Sequence, residues 1–145
     1  MIREIKGDLF DSDDAILAHG CNCKAAMFSG IAKSMAEKYP EMETQYNSLC
    51  NNNNFNPGDV FLYNYELGRY IANMGTQFLP GANAKVEYIV DSVASLLLIA
   101  LTLNISKVSM CRVGSGVGGL AWDDVLQALE EEFGRHQVDI DIYYL

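Results

Sequence analysis

Between a short apolar run and an acidic helical stretch lies Arg112-Val113-Gly114-Ser115-Gly116-Val117-Gly118-Gly119-Leu120-Ala121-Trp122, which limits the fold more than any other part of the chain. Four glycines fall within the six residues from 114 to 119. Glycine visits positive φ without strain, so this backbone can turn tightly and present several N–H groups in succession. Consecutive amides of this kind cradle an anion, and a helix starting just beyond adds the positive end of its dipole. The pattern predicts a strand over 107–113, the glycine loop, and an amphipathic helix over 122–133. That helix turns Val125, Leu126, Leu129 and Phe133 inward and Glu130–Glu132 outward. Read for chemistry, the loop is a phosphate-binding turn; read for structure alone, it is a tight strand-to-helix connection.

The remaining segments supply the sheet and helices that such a turn needs. Strands are expected over 2–6, 15–21, 60–65, 69–73 and 138–145, the last with Val138, Ile140 and Ile142 on one face. The Glu66-Leu67-Gly68 turn makes a hairpin of the third and fourth strands, and 74–77 is expected to leave it as a polar loop. Helices are expected over 31–39, 41–49 and 85–104, with Asn51–Asn54 a solvated turn. Strands alternating with helices give an α/β domain, a three-layer α/β/α sandwich with a mixed central sheet. A chain of 145 residues makes one such domain, 1–145.

Several function classes drop out. The net charge of −9 argues against a broad nucleic-acid surface, which relies on clustered Lys and Arg. It does not argue against a small anion, since local amides can outweigh a distant field. Cysteines at 21, 23, 50 and 111 do not form a disulfide framework and read as reduced thiols, which puts the protein inside the cell, in the cytoplasm. The N-terminus has no apolar signal region, and the longest apolar run, 93–103, is too short to span a bilayer. No membrane partner is expected.

Glycines 114, 116 and 119 match the dinucleotide fingerprint, with Asp139 about 20 residues on. Only one helix and one strand follow, however, and that motif opens a fold rather than closing one. No arginine stands six residues after any cysteine, as a phosphate-holding cysteine nucleophile needs; those positions are Met27, Ser29, Asn56 and Val117. His19, Cys21 and Cys23 lack a fourth ligand at closed spacing, so neither a metal nor any other cofactor is expected, and the cysteines read as small buried hydrophobes. His19 carries two readings. It is a core histidine on an apolar strand, or a proton-transfer group at the strand end where open α/β sheets place their ligands. Asn22, three residues on, could hold a ligand hydroxyl or a water.

Lys6-Gly7-Asp8-Leu9-Phe10, Leu17-Ala18-His19-Gly20-Cys21-Asn22-Cys23, Ser29-Gly30-Ile31-Ala32, Ile71-Ala72-Asn73-Met74 and the glycine loop, taken together and in this order, resemble a macro domain. The likeness runs nearly end to end. It is nearest to the branch of the yeast-type ADP-ribose 1''-phosphate phosphatase, and more distant from the terminal ADP-ribose protein glycohydrolase branch. The resemblance implies a sandwich that binds ADP-ribose at the strand ends. It assigns the adenine to Asp8 and the Leu9 backbone, with Leu145 packing nearby. Ser29, Gly30 and Ile31 would meet the diphosphate from one side, and Gly114, Ser115, Gly116, Val117, Gly118 and Gly119 from the other. In the glycohydrolase branch a lysine and an aspartate stand where this chain has Gln77 and Gly118, so no lysine adduct with ADP-ribose is expected. The phosphatase branch keeps a histidine at His19.

The resulting expectation is a metal-independent hydrolase. Its diphosphate loops leave the distal ribose beside His19 and Asn22, and His19 moves the proton that releases phosphate, an acyl group or an ADP-ribosyl linkage. The alternative is a non-catalytic reader or sequestering module for free ADP-ribose, ADP-ribose 1''-phosphate or ADP-ribosylated protein.

Overall fold

Alternation along the strands assigns each residue to one of two cores. The computed structural model describes residues 1–145, with β1 (Ile2–Lys6), a short 3-10 turn (Leu9–Asp11), β2 (Ile16–Cys21), α1 (Gly30–Lys38) and α2 (Pro40–Asn51). Then follow β3 (Val60–Glu66), β4 (Arg69–Gly75), α3 (Val86–Thr102), β5 (Lys107–Cys111), α4 (Trp122–Phe133) and β6 (Asp139–Tyr144). On β2, Ile16 and Ala18 turn toward α3 and α4, joining Val93, Leu97, Val125 and Leu129. Leu17 and Cys21 turn the other way, joining Met35, Met42 and Tyr46 of α1 and α2. Each large aliphatic side chain so enclosed contributes about 1.5–3 kcal/mol. The outcome is the expected sandwich, with helices on both faces of one sheet.

Strand order is β1-β6-β5-β2-β4-β3. All neighbours are parallel except β3 and β4, the hairpin, which are antiparallel and make the sheet mixed. Parallel pairing brings the C-terminal ends of β1, β6, β5, β2 and β4 to a common edge. At the centre of that edge the chain leaves β2 toward α1 on one face, and leaves β5 toward α4 on the other. Adjacent strands whose connections diverge in this way open a crevice, where α/β sheets bind ligands.

Element bounds differ from the sequence reading in one place that bears on the site. The fourth strand continues through Met74 and Gly75, and Thr76 and Gln77 beyond it are buried. The polar loop expected over 74–77 is therefore core. Gly75 is pressed against the chain before β3, with a Cβ there falling 2.7 Å from the Asn56 carbonyl oxygen, so only glycine lets this strand end pack. No helix is long and apolar enough to cross a membrane.

Candidate functional site

A cleft of about 270 Å³ opens at the diverging ends of β2 and β5. Its first wall is the loop after β2 and the start of α1, from Asn22 to Ala32; its second is the glycine loop; its third is the segment Thr76–Gly81. Local chemistry fixes each wall. Asn22 folds back on its own loop: its Oδ1 accepts from Lys24 N (2.9 Å) and Ala26 N (3.3 Å), and its Nδ2 donates to Ala26 O (2.9 Å). The buried Tyr46 hydroxyl sits against both Asn22 oxygens, at 2.6 Å from the carbonyl and 2.9 Å from Oδ1. Gln77 pins the third wall by donating from Nε2 to Leu79 O and Gly81 O, both at 2.7 Å. Ala84 N to Gly118 O (3.2 Å) and Cys23 N to Phe78 O (3.0 Å) tie that wall to the other two.

The glycine loop has its shape because side chains are excluded from it. Gly114 sits at φ 78°, and a Cβ there would fall 2.5 Å from Ile89 Cδ1. A Cβ on Gly118 would fall 2.7 Å from Gly114 O and 2.8 Å from Ala84 Cβ. The loop closes on itself through Leu120 N to Gly114 O (2.9 Å) and Gly119 N to Gly116 O (3.2 Å). The amides of Gly114, Gly116, Val117 and Gly118 have no acceptor within the protein. On the facing wall the amides of Ser29, Gly30, Ile31 and Ala32 are the unpaired first N–H groups of α1, and Ser29 supplies no side-chain cap. Two sets of N–H groups without a protein acceptor thus belong to residues that line one crevice, one set at the positive end of a helix. The lining contains no acidic side chain and one basic one, Arg112, so the site suits an anion although the chain carries −9 overall.

Of the residues singled out from sequence, Asn22, Ser29, Gly30, Ile31, Gly114, Gly116, Val117 and Gly118 line this cleft. Ser115 and Gly119 do not; Ser115 donates from Oγ to Arg112 O (2.8 Å) and holds the start of the loop. Asp8, Leu9 and Leu145 lie on the same sheet edge at the ends of β1 and β6, outside the lining. Asp8 Oδ1 accepts from Phe10 N (2.9 Å) as the cap of the 3-10 turn, Leu9 is core, and Leu145 is exposed. Arg112, Gln77 and the exposed Phe28 also line it, and none of the three is among the ligand groups expected from the sequence. The signal for Arg112 was its place directly before the glycine run.

His19 lies away from the cleft mouth where the sequence reading set it. Alternation on β2 points it under α1 and α2, its exposure is 0%, and it is absent from the cleft lining. Its Nε2 lies 2.6 Å from Asn73 Oδ1, and Asn73 spends its own Nδ2 on Phe61 O at 3.1 Å. The bond therefore requires a proton on Nε2, leaving Nδ1 as a buried lone pair with no partner. Burial pulls the imidazole pKa down from 6.5 to about 4, the Asn73 bond opposing only in part. In this fold His19 is buried beneath α1 and α2 and stands apart from the cleft lining. The cleft's thiols are inert: burial drives Cys111 up to about 11 and Cys21 well above its ordinary value.

Comparison with known proteins places this geometry. A family model described as "Macro domain" matches residues 18–129. The DNA ADP-ribosyl glycohydrolase of Mycobacterium tuberculosis is 33% identical over 99% of this chain, which spans 42% of that relative's length. The ADP-ribose 1''-phosphate phosphatase of Lodderomyces elongisporus is 28% identical over 99% of this chain and 98% of its own. Among solved structures, the macrodomain of Mycobacterium tuberculosis DarG superposes with a TM-score of 0.90 at 34% identity, covering 100% of this chain and 98% of that one.

Proposed function

The chain belongs to the macro domain family, and from that premise we propose that residues 1–145 form one macro domain whose cleft binds ADP-ribose through its diphosphate. One observation carries the reading: the unpaired amides of Ser29–Ala32 and of Gly114 and Gly116–Gly118 belong to two walls of one crevice without an acidic side chain. Two rows of preoriented N–H donors match a group with anionic oxygens on both sides, and a diphosphate is such a group. At one end of the amide rows, Asn22, Thr76 and Gln77 leave polar atoms for the distal ribose. At the other, the strand edge leads toward Asp8, Leu9 and Leu145, where the adenosine half lies.

Hydrolysis at the distal ribose is the second reading, supported by two relatives named as hydrolases. The cleft narrows its chemistry. With Gln77 and Gly118 in place of a lysine and an aspartate, the lining holds no carboxylate or imidazole, and its thiols are raised by burial, so no lining side chain is suited to act as a general base near neutral pH. Release of phosphate from ADP-ribose 1''-phosphate then proceeds by attack of a positioned water on phosphorus. The proton of that water passes to a phosphate oxygen and on to the departing ribose oxygen. Amides that stabilise the phosphate oxygens supply the electrostatic part. A reader of free or protein-linked ADP-ribose uses the same cleft without this step. The net charge and the absence of lysine in the lining favour a small-molecule or protein-linked ligand over DNA.

A phosphorus NMR time course of ADP-ribose 1''-phosphate with the protein, without added metal, tests both readings. Shifted diphosphate resonances with growing orthophosphate support a binding hydrolase. Shifted resonances alone leave a reader. If neither appears, the reading fails.

A further inference from the structure

Arg112 is the one charged side chain in the cleft, and nothing in the loop's own folding accounts for how it is held. Its guanidinium carbon stands 4.1 Å from the Tyr144 ring centre and 5.5 Å from that of Trp122. Nη2 donates to Glu4 Oε1 at 2.8 Å, and the same oxygen accepts Trp122 Nε1 at 2.8 Å. A carboxylate on β1 thus clasps both flanks of the glycine loop, the residue just before it and the tryptophan just after. Stacking fixes the guanidinium plane, and the Glu4 bond fixes its rotation within that plane.

Yet the guanidinium is largely unused. It has five N–H donors, and the Glu4 bond is its single hydrogen bond within the protein. Its Nε–H is buried with no acceptor. The side chain as a whole is 36% exposed and paired with Glu4, but this one enclosed N–H has no protein acceptor, and an acceptor from outside the chain would satisfy it together with the free Nη hydrogens. The rest of the cleft suggests what that acceptor is, since the glycine loop that follows Arg112 carries backbone amides without a protein acceptor and the lining holds no acidic side chain.

We propose that Arg112 is a ligand residue, giving a charge-assisted contact to a phosphate oxygen of the bound diphosphate at the end of the cleft toward β6 and β1. Glu4, Tyr144 and Trp122 are positioning residues that hold the guanidinium in place for it. The inference rests on the diphosphate reading above and adds the cation which that reading lacked. A planar fork suits phosphate better than a point charge, so lysine is a poor substitute.

The test titrates wild type, Arg112→Gln and Arg112→Lys with ADP-ribose, ADP and adenosine by calorimetry at two salt concentrations. Arg112→Gln is expected to weaken ADP-ribose and ADP by about tenfold, as for loss of a charged hydrogen bond. Adenosine binding should stay within about twofold, and the salt dependence of ADP binding should become shallower. Arg112→Lys should fall between the two and carries the test if the glutamine variant does not fold. Equal losses for ADP and adenosine with unchanged salt dependence would mark Arg112 as a purely structural clasp and overturn the proposal. So would wild-type affinity in both variants. Wild type failing to bind ADP-ribose would instead sink the underlying reading, which keeps the two failures apart.

Discussion

Acid should destabilise this protein through a single buried imidazole. His19 is protonated in the unfolded chain below about pH 6.5 but resists protonation in the folded one until about pH 4. Its Nδ1 is a buried lone pair, and a proton there would face no acceptor while the charge sat in the core beneath α1 and α2. Between these values the unfolded state binds more protons than the native state, so stability rises with pH across the window and falls as pH drops from about 6.5 to about 4. At about 1.4 kcal/mol per tenfold in proton affinity, the drop from 6.5 to about 4 amounts to about 3 kcal/mol. That is a large share of the roughly 5–15 kcal/mol that holds a typical domain folded. Urea titrations from pH 7 to pH 4 on wild type and His19→Gln isolate the effect. Glutamine can still donate to Asn73 but does not titrate, so its stability should fall by about 3 kcal/mol less over that range. The two histidines, His19 and His136, also permit a direct NMR titration. An imidazole at position 19 that titrates near 6.5, or identical pH profiles for the two proteins, would refute the argument and return His19 to the list of accessible proton carriers.

The remaining predictions concern the walls of the cleft and the base of the sheet. Gly118→Ala places a methyl 2.7 Å from Gly114 O; the resulting shift should cost ADP-ribose affinity about tenfold by calorimetry, the scale of a typical overpacking penalty. Gly116→Ala, with no protein atom within 4 Å of the added carbon, should melt within about 0.5 kcal/mol of wild type and serves as its folding control. Tyr46→Phe removes the hydroxyl that holds Asn22; melting should report a loss of about 1–2 kcal/mol, and amide exchange should quicken over 22–26. Asp141 is buried at the base of the sheet, bridged by Arg3 at 3.0 Å and Lys107 at 3.2 Å. Asp141→Asn should cost about 2 kcal/mol in urea unfolding without altering ligand affinity, because the site lies at the opposite strand ends.

What could be read from sequence, and what could not, follows from the range of the forces involved. Helix α4 was legible to the residue, because Val125, Leu129 and Phe133 repeat at helical spacing and Gly134 closes the last turn. The hairpin was legible from Glu66-Leu67-Gly68, where Gly68 takes φ 72°. The tight turn of the glycine loop was legible because glycine content decides backbone shape locally, and Gly114 and Gly119 there take positive φ. The fate of His19 was not: its position near the end of β2 is the same whether the side chain faces the cleft or the α1 layer. The Asn73 bond that holds the ring in the buried layer joins residues 54 apart. Arg112 was overlooked for the same reason, since its meaning depends on Glu4 and Tyr144 from strands at the two ends of the chain. Thr76 and Gln77 read as polar loop because their burial comes from the packing of three walls and not from their own hydropathy.

Binding of the ADP-ribose diphosphate by two rows of backbone amides is open to direct test. An amide proton–nitrogen NMR titration with ADP-ribose addresses those amides one by one. The account predicts that the signals of Ser29–Ala32, Gly114 and Gly116–Gly118 move together and saturate at one affinity, and that ADP reproduces most of the shifts while adenosine does not. Shifts confined to other residues, or none at saturating ADP-ribose, would contradict it.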